Sequence, residues 1–302
     1  LDAPSWMYMN QATGVLSGTA PAHLGTSADT FVVNCKAGNA IGGHINFTVT
    51  VTVASYASSN ANSLKFTSST AYLQGNPANV TALQRASNGN GTTDDWTFSM
   101  LIKPGNDSTA QTLLHYGGND VATKGQINLS IQNTNSLVLW YGTNVNTVGK
   151  FAANQLTVGA WQLVTVTYSG NATGTDSAEL ANYAGTLNMY INDALATTTY
   201  VTSGDGYDGS IGADLFRIGR GITDKYLGTT VINQVAIWDE EKTLSEITSI
   251  YNSGVAQDLA STNPDHFYEF GTSITTVTDE IGNANLTAYG FSISDLVTDV
   301  PS

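Results

Sequence analysis

The sequence predicts an all-β protein built of sandwich-type sheets, with one short helix. Three observations lead there. Apolar and polar residues alternate with a period of two along nearly every segment, which is the pattern of a half-buried antiparallel strand. Clusters rich in Gly, Asn, Asp and Ser, such as "SGNATGTD" and "SGDGYDGS", interrupt the chain at short intervals, as turns do. Helix formers and charges crowd together in one place only, "WDEEKTLSEITSIYNSG". Many short strands with turns between them suit a sandwich or jelly roll better than βαβ units.

Taken in order, "HINFTVTVTV" (His44 to Val53) sets Ile45, Phe47, Val49, Val51 and Val53 on one face and Thr48, Thr50 and Thr52 on the other. "DWTFSMLIKP" (Asp95 to Pro104), "QINLSIQ" (Gln126 to Gln132), "SLVLWYG" (Ser136 to Gly142), "WQLVTVTYSG" (Trp161 to Gly170) and "GTLNMYINDALATTTYV" (Gly185 to Val201) follow the same rule. In "VINQVAIWD", Val231, Val235 and Ile237 alternate up to Trp238. Thr243 then caps a helix, and Glu246 three residues on completes a capping box. Leu244, Ile247, Ile250 and Tyr251 recur at helical spacing, and Gly254 takes the C-cap position. A helix of about three turns is marginal alone in water, so its apolar stripe must dock, with the edge or open end of the sandwich as the expected place.

The 302 residues suffice for one large β domain and a smaller companion. Hydrophobic residues make up 41% and charged residues 11%, a balance that argues against a disordered polyelectrolyte. The net charge of −14, with ten scattered basic residues, makes nucleic acid an unsuitable partner. No run of about 18 apolar residues could span a membrane. Cys35 has no second cysteine to pair with and reads as a small apolar group in an alternating strand. Leu1 stands where an initiator Met would, so the chain reads as processed or excised. The four histidines, His23, His44, His115 and His266, are far apart and show no metal-ligand spacing; "LLHYGG" reads as a polar strand edge. Aromatic residues on a loop or sheet face serve sugar binding by stacking, which makes Trp140, Tyr141, Tyr207 and Tyr226 the candidates. Aromatics at alternate strand positions are equally the material of a core.

The strand–helix pair "VINQVAIWD", "EEKTLSEITSIYNSG" resembles the closing strand and short helix of laminin-G-like, concanavalin A-like jelly rolls. "SLKFTSSTAYLQG" is similar to that family's opening strand, and "DWTFSMLIKPGNDSTAQTLLHYGG", "GAWQLVTVTYSG", "GTLNMYIND" and "DLFRIGRG" match later strands in the same order. The resemblance covers most of Ser63 to Leu259. In the tail, Tyr268, Phe270, Asp279, Gly282, Asn283 and Asn285 fit a "Y-x-F … D-x-x-G-N-x-N" pattern that flanks such jelly rolls, which implies further strands in the same sandwich. The first 54 residues resemble bacterial and phage Ig-like domains of the cadherin-like kind. Pro4, Ser5, Trp6, Asn10, Thr13, Gly14, Leu16, Ser17, Gly18, Thr19 and Pro21 carry that likeness. The expected domains are therefore an incomplete Ig-like sandwich at 1–54, a polar linker at 55–62, and a jelly roll at 63–302. The Ig-like family has strands before this motif, so residues 1–54 are expected to be completed from outside, by an upstream segment, the jelly roll or another subunit.

The resemblance implies function only in outline. Some relatives hydrolyse glycosides with two carboxyl groups in an E-x-D-x-E-like motif; none of the six glutamates here sits in one, and "DEE" at 239–241 reads as a helix start. No enzyme activity and no catalytic residue are expected. Several relatives carry calcium on rim loops, which implies Asp205 and Asp208, Asp94 and Asp95, or Asp176 as ligands. Asp-Gly pairs also simply make turns. The expected protein is a non-catalytic virion or cell-surface structural and adhesion protein, such as a phage tail or capsid-decoration component. Its partners would be other subunits of a virion or surface assembly, with homo-oligomers and glycans in view, and its place the virion surface or the extracellular space. The alternative is a secreted carbohydrate-binding module or glycoside hydrolase. A concave sheet face lined with Trp and Tyr and paired carboxylates would favour that rival, and a filled or flat face with large inter-chain contacts the structural reading.

Overall fold

The computed structural model describes residues 7–9, 16–18, 29–38, 44–53, 62–84, 95–106, 109–118, 125–133, 135–142, 147–169, 187–203, 211–222 and 226–301. The chain divides into two compact units, Leu1–Ser59 and Asn60–Ser302. In the first, β1 (Met7–Met9) pairs antiparallel with β2 (Leu16–Gly18). There, too, β3 (Asp29–Gly38) forms a long hairpin with β4 (His44–Val53), in register from Asp29↔Val53 to Gly38↔His44. Cys35 lies opposite Phe47 in this hairpin.

The second unit is a sandwich of two antiparallel sheets. One sheet has nine strands in the order β15 (Thr199–Ser203), β11 (Thr147–Ala152), β10 (Ser136–Gly142), β9 (Gln126–Gln132), β8 (Gln111–Gly117), β16 (Leu215–Ile218), β6 (Tyr72–Gly75), β20 (Leu286–Tyr289) and β19 (Thr276–Val277). The other runs β14 (Ala194–Leu195), β13 (Leu187–Ile191), β12 (Gln162–Tyr168), β7 (Trp96–Lys103), β17 (Val231–Trp238), β5 (Ser63–Lys65) and β21 (Leu296–Val297), with β18 (His266–Glu269) sharing the β17 edge with β5. Inward residues of both sheets, including Phe66, Phe98, Tyr116, Tyr141, Tyr168, Phe216, Tyr268 and Phe270, are fully buried and form one core. Two stretches read as single strands are divided. "SLKFTSSTAYLQG" gives β5 to one sheet and β6 to the other. "GTLNMYINDALATTTYV" turns at Asn192, whose φ is +60°, and supplies β13, β14 and β15. Asn tolerates that left-handed conformation better than most residues, which lets a period-two pattern hide a turn.

A bulge in β17 also changes which face meets the core. Pairing with β7 slips between Ile232 and Gln234, so Ile232, rather than Val231, joins Val235 and Ile237 in the interlayer core. The opposite face of β17 carries Ala236 and Trp238. With Leu101, Leu163 and Phe267 these form a second apolar cluster on the outside of the eight-stranded sheet.

The helix α1 (Leu244–Tyr251) covers that cluster, and it is the one α-helix among the described residues. The Thr243 backbone N–H donates to Glu246 Oε2 at 2.8 Å, and the Glu246 N–H donates to Thr243 Oγ1 at 3.4 Å, closing the capping box. The dock is thus an outer sheet face, not an edge or open end. Ile250 packs there and Ile247 is buried, whereas Leu244 is 53% exposed and no part of the stripe. The C-cap is Asn252, at φ 45°, followed by Ser253 and Gly254, both also at positive φ. Trp238 ties the base of this layer by donating Nε1–H to the Thr262 carbonyl at 3.1 Å.

The tail pattern is a clasp. Asp279 Oδ1 accepts from the backbone N–H groups of Phe267 at 3.1 Å and Gly282 at 3.0 Å. Asp279 Oδ2 accepts from Ala284 N–H at 3.0 Å and from His266 Nδ1 at 2.6 Å. Asn285 Oδ1 accepts the Asp279 N–H at 2.8 Å, and Tyr268 donates its hydroxyl to the Ala284 carbonyl at 3.0 Å. Gly282 is required because a Cβ there would lie 2.5 Å from His266 Nδ1 and 2.6 Å from Asp279 Oδ2. The loop so held feeds β20 into the nine-stranded sheet beside β6.

Candidate functional site

The outer face of the nine-stranded sheet places polar and aromatic side chains in one row, one residue per strand. Paired positions in neighbouring antiparallel strands point the same way, and the row runs Thr287, Gln74, Arg217, His115, Asn128, Trp140, Gly149. All but Gly149 are flanked in sequence by residues that face the core, such as Leu73, Leu114, Tyr116, Leu129, Tyr141, Phe216, Ile218 and Leu286. Four strand spacings separate Gln74 from Trp140, roughly 19 Å.

At one end the half-buried Trp140 packs edge-to-face with Phe151, with ring centroids 5.2 Å apart. A Cβ at Gly149 would lie 2.5 Å from Trp140 Cζ3, so glycine on the adjacent strand makes room for the indole. At the other end four side chains stack in layers. Tyr289 lies against Tyr72 at 4.8 Å, Arg220 stands 4.9 Å over the Tyr72 ring, and the same guanidinium is 5.0 Å from the Tyr226 ring. Arg217 adds a second guanidinium 5.4 Å over Tyr72 and donates Nε–H to Gln74 Oε1 at 2.9 Å. Tyr289 is 42% exposed, and Tyr72, Arg217, Arg220 and Tyr226 are half-buried.

The centre of the row is closed. His115 is fully buried, with Nε2 3.3 Å from the Gly118 carbonyl and Nδ1 3.4 Å from Asn128 Nδ2. Burial pushes its pKa down to about 4 against the pull of the Gly118 hydrogen bond, and the positive Arg217 adds to the lowering. His115 is therefore a neutral group on an inner strand, not a polar strand edge. Gly221 closes over this region, where a Cβ would meet Thr112 Oγ1 at 2.7 Å.

Of the aromatic candidates, Trp140 and Tyr226 lie on this face. Tyr141 does not: it is fully buried between the sheets, stacked on Tyr168 at 5.3 Å, because alternation turns it inward from Trp140. Tyr207 and four of the calcium candidates, Asp94, Asp176, Asp205 and Asp208, lie outside the described residues. Asp95 stands half-buried just before β7. Among the described residues no three His, Cys, Asp or Glu side chains are grouped to hold a metal ion. The residues missed from sequence are Tyr72, Gln74, Arg217, Arg220 and Tyr289. The flanking of Arg217 by Phe216 and Ile218 was the available signal, but the pairing β6–β16–β8 joins strands remote in sequence.

A second concavity, about 330 Å³, runs beside α1 and is lined by residues including Glu240, Lys242, Ser245, Glu246 and Thr262. Its buried Lys242 is paired with Glu240, donates to the Thr262 carbonyl at 3.1 Å and stands 5.5 Å over the Trp238 ring. The lining holds no aromatic side chain, and its one lysine serves to fix the helix layer.

The fold and this face define a jelly-roll sandwich of the concanavalin A-like class. Residues 75–248 match the family described as the Concanavalin A-like lectin/glucanases superfamily, and the chain belongs to it. Among solved structures, the chain is similar to the CBM40 of Ruminococcus gnavus IT-sialidase bound to α2,3-sialyllactose, at 12% identity and a TM-score of 0.44, covering 63% of this chain and 97% of that one. It is similar to a heptameric SAP-like pentraxin from Limulus polyphemus at 14% identity and a TM-score of 0.38, covering 63% and 80%. It is also similar to domain 4 of an extracellular arabinanase from Geobacillus stearothermophilus in complex with arabinotriose, at 14% identity and a TM-score of 0.34, covering 74% and 87%. No curated protein matches the chain in sequence. Among the described residues, no helix is long and apolar enough to cross a membrane.

Proposed function

We propose that the chain is a non-catalytic glycan-binding and adhesion protein, and that the outer face of the nine-stranded sheet is its ligand surface. The observation that carries this is the row from Tyr72 and Gln74 to Trp140. It sets the half-buried Trp140 at one end of the sheet face and, at the other, the stacked Tyr72 and the exposed Tyr289 beside the Gln74 amide. Sugar rings present C–H faces that stack on aromatics and hydroxyls that such donors and acceptors fix. The absence of catalysis is supported by the same face. Among the described residues, the outward positions of β6, β16, β8, β9 and β10 include no Asp or Glu, whereas glycoside hydrolysis needs a pair.

A glycan array probed with the full chain tests the reading. Trp140→Ala and Tyr72→Ala should each weaken binding about two- to tenfold, read at a temperature where melting curves show each variant folded. Unchanged binding in both variants would refute the assignment of the face. Release of reducing ends from any bound polysaccharide would refute the absence of catalysis.

The wider setting belongs to the same proposal: a virion or cell-surface assembly of repeated subunits, outside the cell. It is supported by the Thr-, Asn- and Gly-rich strands and the acidic, lysine-poor composition. Mass photometry of the full chain tests the homo-oligomer, which a monomer at micromolar concentration would exclude. Calcium is tested by melting in millimolar Ca²⁺ against chelator, since a ion held only by the native state raises stability.

A further inference from the structure

Resting on the glycan-binding reading, we infer that Asn128 sets the specificity of the Trp140 end of the face. It offers its amide oxygen to a hydroxyl of a neutral sugar stacked on the indole, and His115 is the positioning residue that turns the amide this way. The two ends of an amide are alike in shape and opposite in chemistry, so the end that faces the ligand decides what the ligand must bring. The partners of His115 fix the choice. Its Nε2 stands 3.3 Å from the Gly118 carbonyl, which can only accept, so Nε2 carries the proton. The ring is uncharged at neutral pH, because burial pushes its pKa down to about 4 and Arg217 is the nearby charge that lowers it further. Nδ1 is therefore a bare lone pair. The Asn128 side chain, 3.4 Å from it, must present its NH₂ group there, and Oδ1 is left directed away from His115.

The surroundings make Oδ1 the open end of the amide. Gly221 backs the other end, where a Cβ would lie 3.3 Å from Asn128 Nδ2. Asn128 is half-buried, and among the described residues no donor meets its Oδ1, which is not sealed from solvent. Trp140 pairs directly with Asn128 across β9 and β10, which sets their Cβ atoms about 5 Å apart. The indole leans the other way, over Gly149 on β11, and meets Phe151 edge-on, so it does not cover the amide. A pyranose lying on the indole then carries its rim hydroxyls past Oδ1. An amide oxygen accepts a hydrogen from a hydroxyl and repels the lone pairs of a carboxylate or sulfate. The net charge of −14 acts in the same direction. Because His115 holds the amide before any ligand arrives, little ordering entropy is lost on binding.

The experiment uses the full chain on an array of neutral, uronic acid-containing, sialylated and sulfated glycans. The best neutral binder is then compared by titration calorimetry with its monodeoxy and mono-O-methyl analogues. One hydroxyl is expected to be worth about two- to tenfold in affinity. That factor should be lost on deoxygenation and on methylation alike, because a methyl ether accepts and cannot donate. Asn128→Ala should bind the parent sugar and those two analogues equally, which identifies the contact. His115→Asn keeps an acceptor close to the place of Nδ1 and should retain more of the hydroxyl preference than His115→Leu, each read where melting curves show it folded. In the native chain, long-range nitrogen–proton spectra of labelled histidine should show His115 with Nε2 protonated and Nδ1 bare at neutral pH. A protonated Nδ1, a preference for carboxylated or sulfated glycans, or a hydroxyl preference that survives Asn128→Ala would overturn the inference while leaving glycan binding intact. Binding to no glycan would overturn both.

Discussion

Replacing Asp279 by Asn tests the clasp that closes the tail onto the sandwich. The side chain is fully buried and both of its oxygens accept from donors that have no water to turn to. Burial alone would raise its pKa. The His266 hydrogen bond and the Ala284, Gly282 and Phe267 amides outweigh that and hold it at about 2, against 3.8 for a free side chain. A carboxylate depressed in the native state stabilises the fold above its unfolded pKa, and that contribution is lost as pH falls through the folded value. The difference corresponds to about 2 kcal/mol, present above pH 4 and lost between about pH 4 and pH 2. In the Asn variant one oxygen becomes an NH₂ group facing either His266 and Ala284 or the three amides of Phe267, Ile281 and Gly282. At least two buried donors lose their acceptor, at about 1–3 kcal/mol each. A total of about 3–5 kcal/mol corresponds to a fall in melting temperature of roughly 6–20 °C for a unit of this size. Calorimetry of both proteins at pH 7 and through the range 5 to 2 reads these effects. The native protein should lose stability below pH 4 more steeply than the variant. Charging His115, whose pKa is down at about 4, draws on stability between about pH 6.5 and 4, above this window, and is common to both. A melting shift below 2 °C at neutral pH, or parallel acid profiles, would refute the reasoning.

Three further outcomes are expected. Ile250→Ala empties a buried position between α1 and the outer face of the eight-stranded sheet and should cost about 2–4 kcal/mol, with faster amide exchange in 244–251 than in β7; equal exchange in both would show that the helix does not depend on this dock. Trp238→Phe keeps most of the ring but removes the Nε1–H bond to Thr262, costing about 1 kcal/mol, read as a melting shift of roughly 2–4 °C. Gly149→Ala forces the Trp140 indole aside and should lower glycan affinity while the core remains folded; tryptophan fluorescence reports the displacement, and unaltered emission with unaltered affinity would contradict it.

The sequence by itself determined the class of structure. Period-two alternation is a local property, so strands such as β7, β9, β10 and β12 could be placed within a few residues. The capping box of α1 was legible for the same reason: Thr243 and Glu246 contact each other across one turn and need nothing from elsewhere. The tail pattern around Asp279 was legible as a pattern, and the strands it implies are present.

What only the tertiary structure decided was everything that depends on which strands pair. Alternation says that Trp140 and Tyr141 point opposite ways, but not which of them meets the core; the other sheet settles that by burying Tyr141 against Trp96 and Tyr168. The bulge at Asn233 reversed the face on which Val231 was expected, since one extra residue in a strand flips every side chain before it. The candidate face itself joins Tyr72 and Gln74 on β6, Arg217 on β16, His115 on β8 and Trp140 on β10, residues brought side by side by long-range hydrogen-bonded pairing. Such pairing is governed by the packing of two whole sheets against each other, and no local stretch of sequence encodes it.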